Sequence, residues 1–301
     1  MEEEQPPLAR AIGREALIAT RMATTSPILS DTIRIEPPRA WSSLNLGELW
    51  RFRELLYFLV WRDVKVRYKQ TVLGASWAVL QPALTTLMFT IFFGTLGGMS
   101  QKVTGSYALY VYVAMQPWTY FANAVSMSAN SLVGSSHLIS KVYFPRLLVP
   151  LAAIGAGLID FAVGFVLTLV LMVVYRVTPH AGILIVPLLL VATTAVAAGA
   201  GILLAALIVA YRDFRYVVTF LVQLWFFATP VAYPLDIVPA KWQLLYSLNP
   251  MVGIVAAFRW AILGIDFPFQ SLVLSLISAI LLLAIGVRYF LRVERRFADI
   301  I

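Results

Sequence analysis

The chain has 301 residues, 60% of them hydrophobic and only 13% charged, with a mean hydropathy of +0.84. Soluble domains carry about 25% charged residues, so a water-exposed globular fold is excluded and an integral membrane protein is expected. The net charge of +8 fits basic loops on the inner side of a membrane better than a nucleic-acid surface, and no nucleic acid partner is expected. The lack of cysteine rules out thiolate catalysis, disulfides and Cys-ligated metal, and the two histidines, His137 and His180, lie far apart.

Residues 1–45 mix charge, Pro and Ser, with pairs at Pro6-Pro7 and Pro37-Pro38, and predict a flexible cytosolic tail. The opening MEEEQPPLAR has no basic region followed by an apolar run, so no signal peptide is expected. Over 46–70 the apolar Tyr57, Val60, Trp61, Val64 and Tyr68 recur at helical spacing, with Arg62, Lys65 and Lys69 on another face. Trp and Tyr beside Lys and Arg predict an amphipathic helix in the membrane interface. There each cation gains about 1 kcal/mol from anionic lipid.

Within WRDVKVRYKQTVLGASWAVLQP (61–82) the charge stops, and from Thr71 to Met99 no acidic or basic residue occurs. Crossing about 30 Å of hydrocarbon takes about 20 apolar residues. Spans are accordingly predicted at about 73–97 (broken near Gln81-Pro82), 107–134, 147–175, 183–210, 216–234 and 270–291. The stretch 240–264, cut by Pro250, is ambiguous, and charge decides it. With six spans and both termini inside, only Lys102, Arg176, Lys241 and Arg259 lie outside. A seventh crossing would export the tail cations Arg288, Arg292, Arg295 and Arg296. The expected fold class is therefore all-α. It comprises six transmembrane helices, an N-terminal amphipathic interface helix over 46–70, and a short re-entrant helical hairpin on the outer face between spans five and six. The membrane part covers 71–292, and 293–301 form a cytosolic tail. No internal repeat and no G-x-x-x-x-G-K-[ST] is present, so any use of ATP falls to a partner chain.

Polarity concentrates in the second span. Asn123, Ser126, Asn130 and Gly134 share one helical face, which must meet another helix or a water-filled path. Tyr107, Tyr110, Trp118 and Tyr120 crowd its outer half, where aromatics serve either as an interfacial belt or as stacking platforms for a sugar chain. Trp77, Gln81, Trp225 and Tyr233 are candidates for the same channel surface from neighbouring spans. Asp160, the only acid within the hydrocarbon, is by default a functional residue: a proton site, a cation partner or a hydrogen-bonder. The links SSHLISKVYFPR (135–146) and YRDFRY (211–216) mix aromatics with cations. They suit either solvated turns or docking knobs for a soluble partner, and the first has room for a short helix ending before Pro145.

Four stretches in order, RDVKVRYKQTVLGASWAVLQP, KVYFPRLLVP, YRDFRYVVTFLVQLWFFATPVAYP and LNPMVGIVAAFRWAILG, closely resemble the permease subunit of type-2 ABC exporters of surface polysaccharide. These include O-antigen permeases and the related teichoic acid and capsule exporters. The resemblance runs from about Pro37 to Arg292. It implies a homodimer around a central channel in a bacterial inner membrane, with two copies of a separate ABC ATPase that bind ATP and Mg, and no cofactor in this chain. It further implies an undecaprenyl-linked polysaccharide as substrate, entering beside Trp61, Arg62, Arg67 and Lys69. Coupling to the ATPase would run through Ser136, His137, Lys141, Tyr143 and Arg146. Two other readings remain open: a type-2 ABC exporter of a drug, lipid or small molecule, and a proton-coupled secondary transporter built on Asp160.

Overall fold

A computed structural model describes residues 46–69 and 76–294. The tail expected over 1–45 and the last residues from 295 lie outside the described residues. Among those described, the secondary structure is helical and no strand occurs. Two helices open it, α1 (Leu46–Arg51) and α2 (Arg53–Lys69). Then come α3 (Ser76–Phe89), continued by a π-helical segment Thr90–Leu96, and the long α4 (Tyr107–Gly134). A short α5 (Ser136–Lys141) leads into α6 (Leu148–Val174), α7 (Val186–Ala210) and α8 (Phe214–Phe227). The chain ends in α9 (Ala240–Tyr246), α10 (Pro250–Leu263) and α11 (Phe269–Val293).

Among the described residues, four segments are long and apolar enough to cross a membrane: Val79–Leu96, Leu148–Val174, Ala181–Ala210 and Phe269–Val293. The pair α9 and α10, bent by 106°, makes a fifth if counted as one span. The two other predicted spans fail the same test for different physical reasons. Helix α4 has 28 residues and is about 42 Å long, but its polar residues dilute its apolar character. Helix α8 stops after 14 residues, at Phe227 instead of 234. Pro230 supplies no N–H, and the following carbonyls are taken by side chains from other helices, so 228–234 forms a non-helical strap. The break expected at Gln81-Pro82 is absent as well. Helix α3 runs through Pro82 and departs from α geometry only at Thr90–Leu96, where Gly97 N–H reaches back five residues to Phe92 O at 2.9 Å.

The centre of the bundle is α4, whose buried residues extend from Tyr107 to Leu132 and pack against α6, α7 and α10. Small residues allow a close approach between α7 and α11. A Cβ on Gly286 would lie 2.3 Å from the carbonyl oxygen of Gly199, so the two backbones touch and only glycine fits. Asn249 caps α10, its side chain accepting from Met251 N–H at 3.0 Å, with Pro250 at the first helical position. Both features explain the sharp turn between α9 and α10.

On α2 the inward face is Leu59 and Val64 with Leu55, Leu56 and Val60. This splits the apolar set expected from spacing: Val60 and Val64 face the bundle, whereas Tyr57 and Trp61 point away with Phe58. Aliphatic residues fill the groove and leave the bulkier rings outside. Lys65 lies over the Trp61 ring at 5.5 Å, and Arg53 lies over Trp50 at the same distance.

Candidate functional site

The four cations at the end of α2 have different fates. Arg62 pairs with its neighbour Asp63, at 2.9 Å through Nε and 2.8 Å through Nη2. Lys65 rests on Trp61, and Lys69 is exposed. Arg67 turns inward, where it donates to Asp160 Oδ2 on α6 and its second terminal nitrogen meets Met127 Sδ on α4. Tyr68 donates to the other oxygen, Asp160 Oδ1. Burial lowers the Arg67 pKa, with Tyr68 and Asp63 opposing that trend. Two residues assigned separately from sequence, one to substrate entry and one to the channel, are thus a single ion pair. Both carboxylate oxygens accept hydrogen bonds from donors on α2, and a lone proton site is a poor description of such an acid.

The aromatic side chains of α4 are enclosed by this chain's own helices. Tyr107 donates to Ala232 O at 2.5 Å, and Tyr120 shares a 2.9 Å hydrogen bond with Thr194. Trp118 packs edge-on against Phe226 at 5.4 Å, and Phe121 packs likewise against Trp225 at 4.9 Å. Tyr107, Tyr110, Trp118 and Tyr120 are all buried within the chain: Trp118 packs toward α8, Tyr110 against Arg259 of α10, and Tyr120 against α6 and α7. Deeper in, Gln116 donates to the Tyr112 hydroxyl at 2.7 Å and lies over Gly164, whose carbonyl accepts from Tyr112 at 3.2 Å. The polar face below is only half-buried. Ser126 bonds Ala122 O and Asn130 bonds Ser126 O, both at 2.8 Å and both within α4. No other helix supplies these bonds. Trp77, 53% exposed, and Gln81, also exposed, stand on α3 away from this core.

The strap 228–234 is held by Arg259, Asn249 and Tyr233. Arg259, which charge counting places in an outer segment, is 4% exposed inside α10. Its guanidinium donates to Pro230 O at 2.8 Å and Val231 O at 2.6 Å, and it lies 3.7 Å from the centre of the Tyr110 ring. Asn249 donates to Ala228 O at 2.8 Å and accepts from Trp225 Nε1 at 2.8 Å. Tyr233 donates to Phe227 O at 2.9 Å and meets the Tyr246 hydroxyl at 2.5 Å. A single Arg in a 14-residue apolar helix was the available signal: such a cation needs carbonyls or a carboxylate.

The 135–146 link contains the short helix expected of it, α5, ending at Lys141. His137, Lys141 and Tyr143 are exposed, Tyr143 by 78%, while Ser136 and Arg146 are half-buried. Ile139 and Phe144 anchor the link from beneath. Arg146 ties it to the end of α11, its N–H donating to Glu294 Oε1 at 3.2 Å and its guanidinium to Glu294 O at 2.7 Å. Burial raises the Glu294 pKa, and the contacts with Arg146 act against it. The result is an exposed projection on a fixed base. Among the described residues no group of three His, Cys, Asp or Glu is arranged to hold a metal ion.

Long apolar helices with an apolar outer surface describe a membrane protein, and sequence relatives say of which family. The family model for the ABC-2 type transporter matches residues 54–263. An O-antigen export system permease protein RfbA of Myxococcus xanthus is 31% identical over 214 residues, covering 70% of this chain and 81% of that protein. A permease of the same name from Klebsiella pneumoniae is 26% identical over 258 residues, 85% of this chain and 97% of the relative. The inner membrane transport permease YadH of Escherichia coli K12 is 26% identical over 198 residues, 62% and 76% of the respective chains. By the extent of these matches the chain belongs to the ABC-2 type transporter family and is a membrane permease component.

Proposed function

We propose that this chain is the channel-forming subunit of an exporter for a lipid-linked, O-antigen-like polysaccharide. It works as a homodimer in a bacterial inner membrane with two copies of a separate ABC ATPase, which bind the ATP and Mg. The observation that carries this reading is the likeness to permeases named for O-antigen export, four-fifths or more of whose length the chain covers. In this reading six segments cross and both termini are cytoplasmic. The polarity of α4 is tolerated because its neighbours cover it, and α8 completes its crossing through the strap 228–234. Helices α1 and α2 lie in the cytoplasmic interface with Trp50, Tyr57, Phe58 and Trp61 toward lipid, and α9 with α10 forms the outer hairpin. ATP-driven motion enters through His137, Lys141 and Tyr143.

An undecaprenyl-linked glycan carries an anionic head, and its reception falls to the exposed Lys69 and to Arg62, whose pair with Asp63 lies at the surface beside Trp61, since Arg67 is turned inward to Asp160. The exposed Trp77 and Gln81 of α3, and the half-buried Asn123, Ser126 and Asn130, face the path that opens between two copies. The YadH relatives, named only as transport permeases, keep a second reading in play, the export of a smaller molecule. Deleting the gene decides between them. Accumulation of a lipid-linked glycan on the cytoplasmic side supports polysaccharide export, and an unchanged glycan pool rejects it. Lys69→Ala combined with Arg62→Ala should then lower export about thirtyfold, the loss of roughly 1 kcal/mol per cation, without loss of the ATPase from the complex.

A further inference from the structure

Arg67 and Tyr68 lie 93 and 92 residues from Asp160 in sequence, and they close on its two oxygens from the same helix end. A carboxylate gripped on both oxygens is fixed in direction as well as distance. Seven residues earlier on α2, a second contact sets the same two helices. A Cβ on Gly155 would lie 3.0 Å from Val60 Cγ2, so Val60 seats in the notch that this glycine leaves on α6. Two attachments about 10 Å apart along α2 prevent both sliding and rotation of one helix against the other. Met127 adds the edge of α4 to the joint. The pair is only partly covered, with side-chain exposures of 22% for Arg67 and 18% for Asp160. An apolar pair of similar volume would hold such a site as firmly, so what the charges add is a unique register.

We infer that Asp160 is a positioning residue: with Arg67 and Tyr68 it joins α2 to α6 so that the two helices move as one lever. Any displacement of α2 is thereby delivered to the middle of α6 and to the edge of α4. The inference rests on the export reading for its consequence but not for its geometry. The rival assignment for the same atoms is that Arg67 leaves Asp160 to receive the anionic head of the substrate.

The absence of cysteine from the chain makes the test direct. Val60→Cys with Gly155→Cys places the only two thiols of the permease at a contact close enough for a disulfide, and the valine methyl groups that would crowd the new Cβ are gone. The experiment uses the complete complex with its ATPase in membrane vesicles, and it measures cross-link yield, ATP hydrolysis and glycan export. The joint predicts near-complete oxidation with export unchanged within about twofold. Asp160→Asn alone should assemble with the ATPase yet export about tenfold less, and the oxidised disulfide in that background should restore export. Export that stops on oxidation and returns on reduction overturns the inference, because the joint must then open in each cycle. So does Asp160→Asn exporting at the normal rate, or a disulfide that rescues nothing, which assigns Arg67 to the substrate. If Asp160→Asn does not assemble, the exchanged pair Arg67→Asp with Asp160→Arg replaces it. Recovery of assembly and export supports the joint, and no recovery rejects it. A native complex that moves no glycan refutes the export reading alone. The joint is then judged on cross-link yield and on hydrolysis, which the disulfide must leave intact and Asp160→Asn must alter.

Discussion

Arg259 illustrates how a single residue organises backbone that has no regular structure. Its guanidinium is buried, and its partners are carbonyl oxygens of the strap together with the Tyr110 ring. Hydrogen bonds to a charged group contribute about 1.5–3 kcal/mol each, and every carbonyl left unsatisfied costs about 1–3 kcal/mol. Arg259→Met should therefore destabilise the permease by about 3 kcal/mol or more. Arg259→Lys should recover only part of this, because one ammonium cannot span the fork of acceptors. The midpoint of thermal unfolding in detergent checks both, and equal midpoints for Lys and Arg would refute the fork. This role was only partly legible in the sequence. A lone cation in an apolar helix signals a partner, but backbone carbonyls carry no side-chain signature that names where the partner is. For Asp160 the sequence narrowed the partner to a class, a cation or a polar face. It left Arg67 among the substrate residues because pairing over 93 positions is a property of packing, not of local pattern.

At the scale of the elements, the bounds of long helices were legible because turn residues and charges bracket their apolar runs, Gly105-Ser106 and Ser135-Ser136 around one and Pro145-Arg146 and Arg176 around the other. The predicted 107–134 and 147–175 agree with Tyr107–Gly134 and Leu148–Val174 to within a residue. The faces were less legible. Aromatics near cations on α2 suggested one apolar side, yet shape assigned Leu59 and Val64 inward and left Trp61 outside. The rings of α4 read as a belt or a sugar track, and most of them pack inside the chain's own helix bundle. The crossing of α7 and α11 was not legible at all, since a glycine pair is informative only once the two helices are known to meet. It yields a sharp expectation: Gly286→Leu must displace the Gly199 backbone, which lies 2.3 Å from the new Cβ. Overpacking of this kind costs about 1–3 kcal/mol. Gly134→Leu, where a Cβ meets nothing within 4 Å, should be near neutral. Comparing the membrane yield of the two variants tests the difference, and similar losses would show that the contact is soft.

For the whole molecule, the distribution of exposed apolar side chains argues that this bundle lives in lipid or against another copy of itself. Leu84 and Leu87 on α3 with Ile91 in its π-helical continuation, Val166, Val170 and Val173 on α6, and Ile277, Ile280 and Ile285 on α11 all point outward. A surface so apolar is untenable in water. Charge determines which way the bundle is threaded. Under six crossings, Tyr143 and Lys241 lie on opposite sides, the first in the link after α4 and the second at the start of α9. Were α9 and α10 one crossing and α8 none, the number of crossings between residues 143 and 241 would change by one, and both would face the same side. Both residues are exposed, and with no native cysteine each can carry a single reporter thiol, as Tyr143→Cys or Lys241→Cys. A membrane-impermeant maleimide applied to intact spheroplasts should label the Lys241→Cys variant and spare the Tyr143→Cys variant. After lysis both should react. Two unlabelled variants in intact cells would show that α9 with α10 cross in place of α8. Labelling of both would place the 135–146 projection on the outer side, where no cytoplasmic ATPase could reach it.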